Sequence, residues 1–387
     1  MSMPSHFDQR RKNWSARKHA ILTRYLGVFS TALSRMARDR PIWYVDGYAG
    51  AGYYRDMTDP NHEAEPGSPV LAARIAAEKA IDLRCLNVEE DSDTFDSLRA
   101  STAEYPDVIN MNGNFCHLVE SILQTIGHSP ALFFLDPFGT QELPMEGVIE
   151  QISRRQSETD ILLRYPTFAV ARLAGAYLND LDRSESYATH LDRWFLGNEW
   201  RDIVRTHDKG AIRNQLLLHY YKRQIVNIQG GRIQFVADYP IKSIENDQVQ
   251  YHMVFASGHR LGIKLMSDIL YAVGLEYQSD KDGYWIKKAA AAGQLSMFDS
   301  AQLVPPDDSP DLVGRLMHAV QSIERPLGFE WTFEELHFDL AINQGWFAQF
   351  PEKHLREACK SLVALSRIER LSAGKAWDRK TRFRLRF

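Results

Sequence analysis

The spacing of apolar residues changes near Pro41. From about 10 to 38 apolar residues such as Ile21, Leu22 and Phe29 recur every three to four positions, which predicts an amphipathic helix. Beyond Pro41, short apolar runs of strand length alternate with helical stretches, which is typical of a parallel sheet built from βαβ units. The predicted strands of this series span 42–46, 83–89, 108–113, 131–136 and 160–166.

The pattern after the fifth strand extends this sheet. The stretch 167–230 has helical spacing and is longer than one crossover helix requires, so a helical insertion is expected there. Two further strand candidates, 231–240 and 248–259, follow each other closely, which predicts an antiparallel pair at the sheet edge. Ser68 and Pro69 predict the start of the first crossover helix, with Ser68 as its cap.

The predicted fold class is α/β, with a Rossmann-like, doubly wound sheet of seven mostly parallel strands. The last part of the chain has three helical patterns and two short alternating runs, which is the outline of a winged helix-turn-helix domain. Thr332 and Glu335 stand at capping-box spacing in its second helix. The expected segments are an N-terminal helix packed on the sheet (1–40), the catalytic domain (41–288), a linker (289–309) and the winged helix (310–387).

Composition narrows the class of protein. The 387 residues are 44% hydrophobic and 25% charged, which is typical of a soluble globular protein with room for two domains. Cys85, Cys116 and Cys359 are scattered without a CxxC pair, so the sequence favours neither a disulfide framework nor a zinc site, and no metal is expected. No apolar run has membrane-spanning length, so we expect a cytoplasmic protein without a membrane partner.

The sequence VDGYAGAG joins Asp46 to a glycine-rich loop at the end of the first strand. Gly47, Gly50 and Gly52 leave the backbone open, so its N–H groups can approach a small ligand closely. A dinucleotide-binding loop has a third glycine where this chain has Arg55, and an acid before the loop repels a diphosphate. S-adenosylmethionine carries a cationic amino group and a sulfonium, so the acid favours this cofactor over a dinucleotide.

Polar residues at the next two strand ends favour the same cofactor, since the carboxyl ends of parallel strands face one crevice. Glu89 ends the second strand, where its carboxylate is expected to accept hydrogen bonds from two ribose hydroxyls. After the third strand, Asn114 is expected to bond the adenine amine and Phe115 to flank the ring. The alternative is a glycine loop that serves only a structural turn. The predicted cofactor-binding residues of the loop and strand ends are Asp46, Gly47, Tyr48, Ala49, Gly50, Gly52, Glu89, Asn114 and Phe115.

The fourth strand ends in a motif that indicates the methyl acceptor. Asp136, Pro137 and Phe138 resemble the Asp-Pro-Pro-Tyr loop of methyltransferases that act on exocyclic amines, and Asp-Pro-Phe-Gly is closer to the loop of tRNA guanine-N2 methyltransferases. In such loops the carboxylate and a backbone carbonyl accept the amine hydrogens, and the aromatic ring stacks on the base. The alternative is that Asp136 caps a turn and Phe138 packs against the pocket wall. The motif contains no basic residue, so no general base is assigned.

In this order, the motifs resemble the three-Cys-motif partner (TcmP) family of class I S-adenosylmethionine-dependent methyltransferases. The resemblance covers most of residues 10–290 and is carried by 17–26, by YVDGYAGAGYY, GSPVLAA and FFLDPFGT, and by 253–266. It implies a Rossmann-type catalytic domain, a C-terminal helical or winged-helix region and S-adenosyl-L-methionine as cofactor. It also implies a partner protein with a three-cysteine, radical-SAM-like motif, which this chain lacks. Asn114 replaces an aspartate of many methyltransferases, which implies a weaker or differently oriented adenine contact.

Lys18 and His19 lie on the N-terminal helix, just before the sheet begins. If this helix folds over the crevice, the two side chains contribute to the cofactor pocket, and both are predicted cofactor-binding residues. The alternative is that they make only solvated or capping contacts.

The C-terminal tail is basic although the chain has a net charge of −4. Between 360 and 387, nine Lys or Arg stand against two acids, and Trp377 is expected at the wing tip. This surface predicts contact with nucleic-acid phosphates, with protein docking or dimerisation as the alternative. The pentapeptide QLSMF (Gln294 to Phe298) resembles the peptide by which bacterial proteins bind the DNA sliding clamp. Its alternative is docking onto the catalytic domain.

These features predict an S-adenosylmethionine-dependent methyltransferase whose acceptor is an exocyclic amine of a nucleic-acid base. The competing hypothesis is a nucleic-acid-binding regulator whose Rossmann-like domain binds S-adenosylmethionine or a nucleotide without methyl transfer. The two hypotheses differ in whether the methyl group leaves the cofactor.

Overall fold

The computed structural model describes residues 13–37, 40–55, 63–79, 81–137, 139–140, 143–180, 182–291, 310–324, 329–372 and 377–386. Contacts between residues divide the chain into two units, Met1–Ser243 with Asp247–Gly262 and Ile244–Asn246 with Ile263–Phe387. The division falls at Gly262, inside a helix, whereas the sequence places the linker at 289–309. Most of that segment, including Gln294 to Phe298, lies outside the described residues.

A seven-stranded sheet forms the centre of the first unit. Its strands are β1 (Ile42–Asp46), β4 (Leu83–Glu89), β5 (Val108–Asn112), β6 (Ala131–Leu135), β7 (Thr159–Tyr165), β8 (Phe235–Lys242) and β9 (Val249–Ser257), while β2 (Tyr53–Tyr54) and β3 (Glu65–Pro66) form a separate ribbon. The order is β5-β4-β1-β6-β7-β9-β8, and β9 runs antiparallel to both of its neighbours. The predicted Rossmann-like, mostly parallel sheet is confirmed, with the antiparallel strand one place in from the edge.

Helices pack on this sheet and bury its central strands. Every residue of β1 and β6 is buried, as expected for inner strands of a parallel sheet. The N-terminal helix contributes Ile21, Leu22 and Leu26 to the buried core. The helices that precede the insertion are α1 (Asn13–Ala37), α2 (Ser68–Glu78), α3 (Ser92–Thr102), α4 (Phe115–Ile126) and α5 (Glu150–Ser153).

The first turn of α2 differs from the prediction. Gly67 is the N-cap, and Ser68 is the first helical residue, with Pro69 in the first turn. The prediction of Ser68 as the cap is wrong because its hydroxyl bonds Asp46 instead of the helix backbone.

The stretch 167–230 folds into α6 (Thr167–Asn179), α7 (Ser184–Phe195), α8 (Trp200–Thr206) and α9 (Ala211–Val226). Buried aromatic rings join these helices to the sheet. Trp194 stacks on Tyr221 with ring centroids 5.4 Å apart, and Tyr165 of β7 lies 5.2 Å from Tyr221. The insertion therefore shares the core of the first unit.

The remaining elements are α10 (Arg260–Ala291), α11 (Pro310–Gln321), β10 (Glu330–Thr332), α12 (Phe333–Phe338), α13 (Glu352–Ala364), β11 (Ile368–Arg370) and β12 (Arg382–Leu385). In the second unit, β12 pairs antiparallel with β10 on one side and β11 on the other. Thr332 caps α12 in a capping box with Glu335, as its spacing predicts. Strand β10 was not predicted, because three residues are too few to show a period.

Trp377 lies between β11 and β12 and is partly buried. Its ring centroid lies 6.1 Å from that of Phe333 and 6.4 Å from that of Phe383, and both of these rings are buried. The ring therefore packs on the core of this unit, as is favourable for a large apolar side chain. Among the described helices, none combines the length and apolar character that crossing a membrane requires.

Candidate cofactor and acceptor site

The strand order defines one crevice at the carboxyl edge of the sheet. The chain moves outward from β1 to β4 and β5 on one side, and from β6 to β7 on the other. The point where the direction reverses, between β1 and β6, is where doubly wound sheets bind ligands. The predicted cofactor residues that follow β1, β4 and β5 therefore share an edge with the predicted acceptor motif after β6.

Asp46 lies beneath the glycine loop and is fully buried. Its carboxylate accepts hydrogen bonds from the Tyr44 hydroxyl at 2.8 Å, from the Tyr48 backbone N–H at 3.2 Å and from Ser68. Burial raises the pKa of Asp46 to about 6, although these hydrogen bonds favour the ionised form. Asp46 thus fixes the start of the loop and places a carboxylate under it.

The loop requires glycine for reasons of space and of backbone conformation. A Cβ on Gly47 would lie 2.8 Å from Leu135 Cδ2, and one on Gly52 would lie 2.6 Å from Ser101 Cβ. Gly50 and Gly52 have φ angles of 68° and 88°, in the left-handed region that favours glycine. Ala49, directly before Gly50, is buried, and its N–H donates to the Val88 carbonyl at 2.9 Å. The loop is therefore held against β4 before any ligand binds.

Glu89 connects the loop to the end of β4. Its Oε2 accepts a hydrogen bond from Gly50 N at 2.9 Å, and its Oε1 accepts one from Asp91 N at 2.9 Å. Desolvation is the largest influence on this carboxyl and raises its pKa, while these backbone N–H groups act in the opposite direction. The predicted loop and the predicted strand-end acid thus form one wall.

A cleft of about 610 Å³ opens beside this wall. Four predicted residues line it: Gly47, Tyr48, Glu89 and Phe115. The rest of its lining is Val88, Glu90, Asp91, Ser92, Asp93 and Gly113. Four of the ten lining residues are acidic, which favours a cationic ligand over a diphosphate. The acids after Glu89 were not predicted, although the sequence EDSD directly after the strand was a visible signal.

Phe115 lines this cleft, whereas Asn114 does not. Asn114 is the N-cap of α4, where its Oδ1 accepts from Cys116 N at 2.9 Å and its Nδ2 donates to Glu90 Oε2 at 3.0 Å. Both ends of the amide thus bind protein groups and do not line the cleft. The buried ring of Phe115 lies 5.7 Å from that of Tyr48, so the two predicted aromatic residues form one apolar patch.

The acceptor motif is part of a cluster of three charged side chains. Asp136 pairs with Lys18 Nζ, and its Oδ1 lies 3.8 Å from Arg164 Nη1. Pro137 is buried, and its carbonyl accepts a hydrogen bond from Arg164 Nη1 at 3.3 Å. Phe138 lies outside the described residues.

Lys18, a predicted cofactor-binding residue, contacts the predicted acceptor motif and is also close enough to lower the pKa of Asp46. Its ammonium binds Asp136 and lies 5.6 Å from the centroid of the Phe134 ring. Burial by itself lowers the pKa of Lys18, but Asp136 and the nearby hydroxyls of Tyr54 and Tyr251 raise it further, so the net pKa is above its ordinary value. The residue is therefore a cation at neutral pH.

Two further residues complete this side of the crevice. His19 is buried, with its ring 5.9 Å from that of Tyr54. Arg164 was not predicted, although a charged residue in the apolar run DILLRYP was a signal. The parallel register pairs Leu135 with Leu163, which brings the next residues, Asp136 and Arg164, side by side.

The chain matches no family model, and no curated protein is similar to it in sequence. Solved structures with a similar fold include methyltransferases. An O-methyltransferase from Bacillus cereus in complex with SAH has 11% identity and a TM-score of 0.31, over 66% of this chain and 84% of that one. A putative caffeoyl-CoA O-methyltransferase from Staphylococcus aureus has 9% identity and a TM-score of 0.28, over 60% and 82%.

A Legionella pneumophila protein has 13% identity and a TM-score of 0.38, over 63% of this chain and 85% of its own.

Proposed function

We propose that the chain is an S-adenosylmethionine-dependent methyltransferase whose acceptor is an exocyclic amine of a nucleic-acid base. The observation that carries this proposal is the hydrogen bond from Gly50 N to Glu89, which joins the glycine loop and the strand-end acid in one cleft. The Asp136–Pro137 motif follows β6, the strand next to β1 on the other side of the crevice. Donor and acceptor groups would therefore meet at one sheet edge.

The cleft fits a cationic cofactor with a nucleoside part. The positive charge would be attracted by the four acids of the lining, Glu89, Glu90, Asp91 and Asp93. The adenine ring would contact the aromatic rings of Tyr48 and Phe115. Gly47 lines the cleft without a side chain, so its backbone would be open to the ligand. When bound, S-adenosylmethionine supplies an electrophilic methyl group.

The acceptor groups suit an amine with two hydrogens. The Asp136 carboxylate and the Pro137 carbonyl both accept hydrogen bonds, and both are held in place by Arg164. Lys18 fixes the carboxylate from the other side. Such orientation of an acceptor nucleophile is a main source of rate in a group transfer.

Methyl-labelled S-adenosylmethionine tests the proposal. We expect label to appear in RNA or DNA when the full chain is incubated with separate nucleic-acid and protein fractions. D136N is expected to lower the transfer at least about tenfold, whereas the exposed D107N serves as a matched control and leaves it unchanged. If cofactor binds but no label moves, the regulator hypothesis replaces this one.

We further propose that the second unit is a winged helix that binds the nucleic-acid backbone. Its three short helices and antiparallel three-stranded sheet support this assignment. Several arginines of the tail are neutralised, since Arg382 pairs with Glu330, and Arg384 and Arg386 pair with Glu369. The contact would therefore rest on the exposed cations Lys360, Arg367, Arg379 and Lys380.

Three expectations from the sequence stay predictions. These are membership of the TcmP family, with its three-Cys-motif partner, the cytoplasmic location and the sliding-clamp contact through Gln294 to Phe298. Co-purification of the full chain with candidate partners would test the first and the third.

A further inference from the structure

We propose that Arg164 binds an anionic group of the methyl acceptor, and that this group is a phosphate of the nucleotide that carries the methylated amine. The proposal rests on the proposed function for the identity of the acceptor, and it adds a binding residue and a chemical group to that function.

The charge balance at the acceptor end favours an anion. Lys18 and Arg164 carry two positive charges against the single negative charge of Asp136. The side chains of Lys18 and Asp136 are 7% and 16% exposed and pair with each other, whereas that of Arg164 is 26% exposed. The excess positive charge therefore lies at Arg164, the most accessible member of the cluster.

The guanidinium of Arg164 is already held in position. Its Cζ lies 4.7 Å from the centroid of the Tyr251 ring, and its Nη1 donates to the Pro137 carbonyl. A cation that is fixed by an aromatic ring and a carbonyl loses little freedom when an anion binds.

Among the described residues, the guanidinium donates one hydrogen bond, from Nη1 to the Pro137 carbonyl, and its buried Nε has no acceptor. A buried N–H without an acceptor is destabilising, and such groups commonly bind a ligand or an ion. A planar guanidinium matches the oxygens of a phosphate or carboxylate.

An aromatic residue four positions after Arg164 favours a nucleotide as the source of the anion. Phe168 lies in the first turn of α6, which follows the carboxyl end of β7, and it is 59% exposed. An exposed aromatic ring offers a face on which a base can stack. Arg164 would thus bind the phosphate of a nucleotide, and Phe168 would stack on its base.

Calorimetry on the full chain saturated with S-adenosylhomocysteine tests the inference without methyl transfer. The probes are nucleoside 5′-monophosphates, the matching nucleosides, inorganic phosphate and succinate. We expect the wild type to bind at least one monophosphate about tenfold or more tightly than its nucleoside. R164Q should abolish this preference, and R164K should keep part of it.

Arg84 provides the matched control. Like Arg164, it lies in a strand and next to an aromatic ring, with its Cζ 6.0 Å from the centroid of Trp43. Unlike Arg164, it is the second residue of its strand, β4, and so lies at the amino edge of the sheet. R84Q should keep the full preference for the monophosphate. Circular dichroism and R164K separate loss of the site from loss of folding.

Three outcomes would overturn the inference: equal affinity of the wild type for monophosphate and nucleoside, a preference that survives in R164Q, or tighter binding of succinate than of every phosphate probe. If the Arg164-dependent phosphate preference is found but no label reaches nucleic acid, the anion site stands and the proposed methyl transfer to a base fails.

Discussion

Lys18 of the first helix and Asp136 at the end of β6 form a salt bridge across 118 residues of sequence. This pair ties α1 to the acceptor side of the crevice. We expect K18M to lower methyl transfer about tenfold or more, because the Asp136 carboxylate loses the ammonium that orients it. The affinity for S-adenosylhomocysteine, measured by calorimetry, should stay unchanged. K209M, which replaces an exposed lysine, is the control. Weaker cofactor binding by K18M with normal methyl transfer would indicate that Lys18 binds the cofactor.

E89Q should weaken the binding of S-adenosylhomocysteine about tenfold. Each carboxylate oxygen of Glu89 accepts one backbone N–H, from Gly50 and from Asp91. A glutamine presents an amide N–H to one of these donors, which breaks the link between loop and strand. Calorimetry against E120Q, an exposed glutamate of α4, measures the effect. Equal affinities of E89Q and wild type would contradict the assigned cleft.

The stability of the fold should depend on pH through Asp46. Burial raises its pKa from an ordinary 3.8 to about 6, so the folded protein holds this proton more tightly than the unfolded chain does. The resulting stability is fully present below the unfolded pKa and is lost as the pH rises through the folded one. This difference in pKa between the two states corresponds to about 3 kcal/mol.

Denaturant unfolding of wild type and D46N, from about pH 4 to about pH 7, tests this. The free energy of unfolding of the wild type should fall relative to that of D46N as the pH rises. D107N should follow the wild type. Parallel curves for wild type and D46N would show that the pKa of Asp46 is the same in both states.

G47A should destabilise the fold by about 1–3 kcal/mol, because the new methyl group overlaps side chains that line the crevice. Its Cβ would lie 2.8 Å from Leu135 and 3.1 Å from Phe115. G175A is the matched control, since no atom lies within 4 Å of the added Cβ in the middle of α6. That variant should be as stable as wild type or more stable. Thermal unfolding compares the two, and equal loss in both would exclude overlap as the cause.

Replacing Lys360, Arg367, Arg379 and Lys380 together by glutamine should weaken nucleic-acid binding. The slope of log affinity against log salt should also become shallower, because fewer counterions are released. A control with the same change in net charge replaces Arg84, Arg99, Arg193 and Lys209 of the first unit. Equal slopes in the two variants would argue against a nucleic-acid surface on the second unit.

The strands were predictable because their signal is local. A buried parallel strand is a continuous apolar run, and β1 and β4 begin and end at the predicted residues. The glycine loop was also readable, since Asp46 and the three glycines follow one another in the chain. Residues of one strand and of the loop after it are adjacent in sequence, so their arrangement can be predicted from the sequence alone.

The contacts of Asp136 with Arg164, Tyr251 and Lys18 were not predictable for the opposite reason. These residues meet Asp136 only because β7 pairs with β6 and β9 pairs with β7, while α1 packs on the sheet. Ser68 is a further example, because its hydroxyl bonds the buried carboxylate of Asp46 in β1 and does not cap its own helix. Side-chain partners that are distant in sequence leave no local pattern.

The two halves of the crevice therefore differ in how far along the chain they are assembled. The proposed cofactor half uses residues from Asp46 to Phe115, whereas the proposed acceptor half includes residues as far apart as Lys18 and Tyr251. Contacts between distant residues form more slowly than local ones. During synthesis the residues from Asp46 to Phe115 leave the ribosome before those of β9 do. We expect pulse-labelled hydrogen exchange to show protection around β1 and β4 before it reaches β9, so that the protein gains a place for its donor before it gains one for its acceptor.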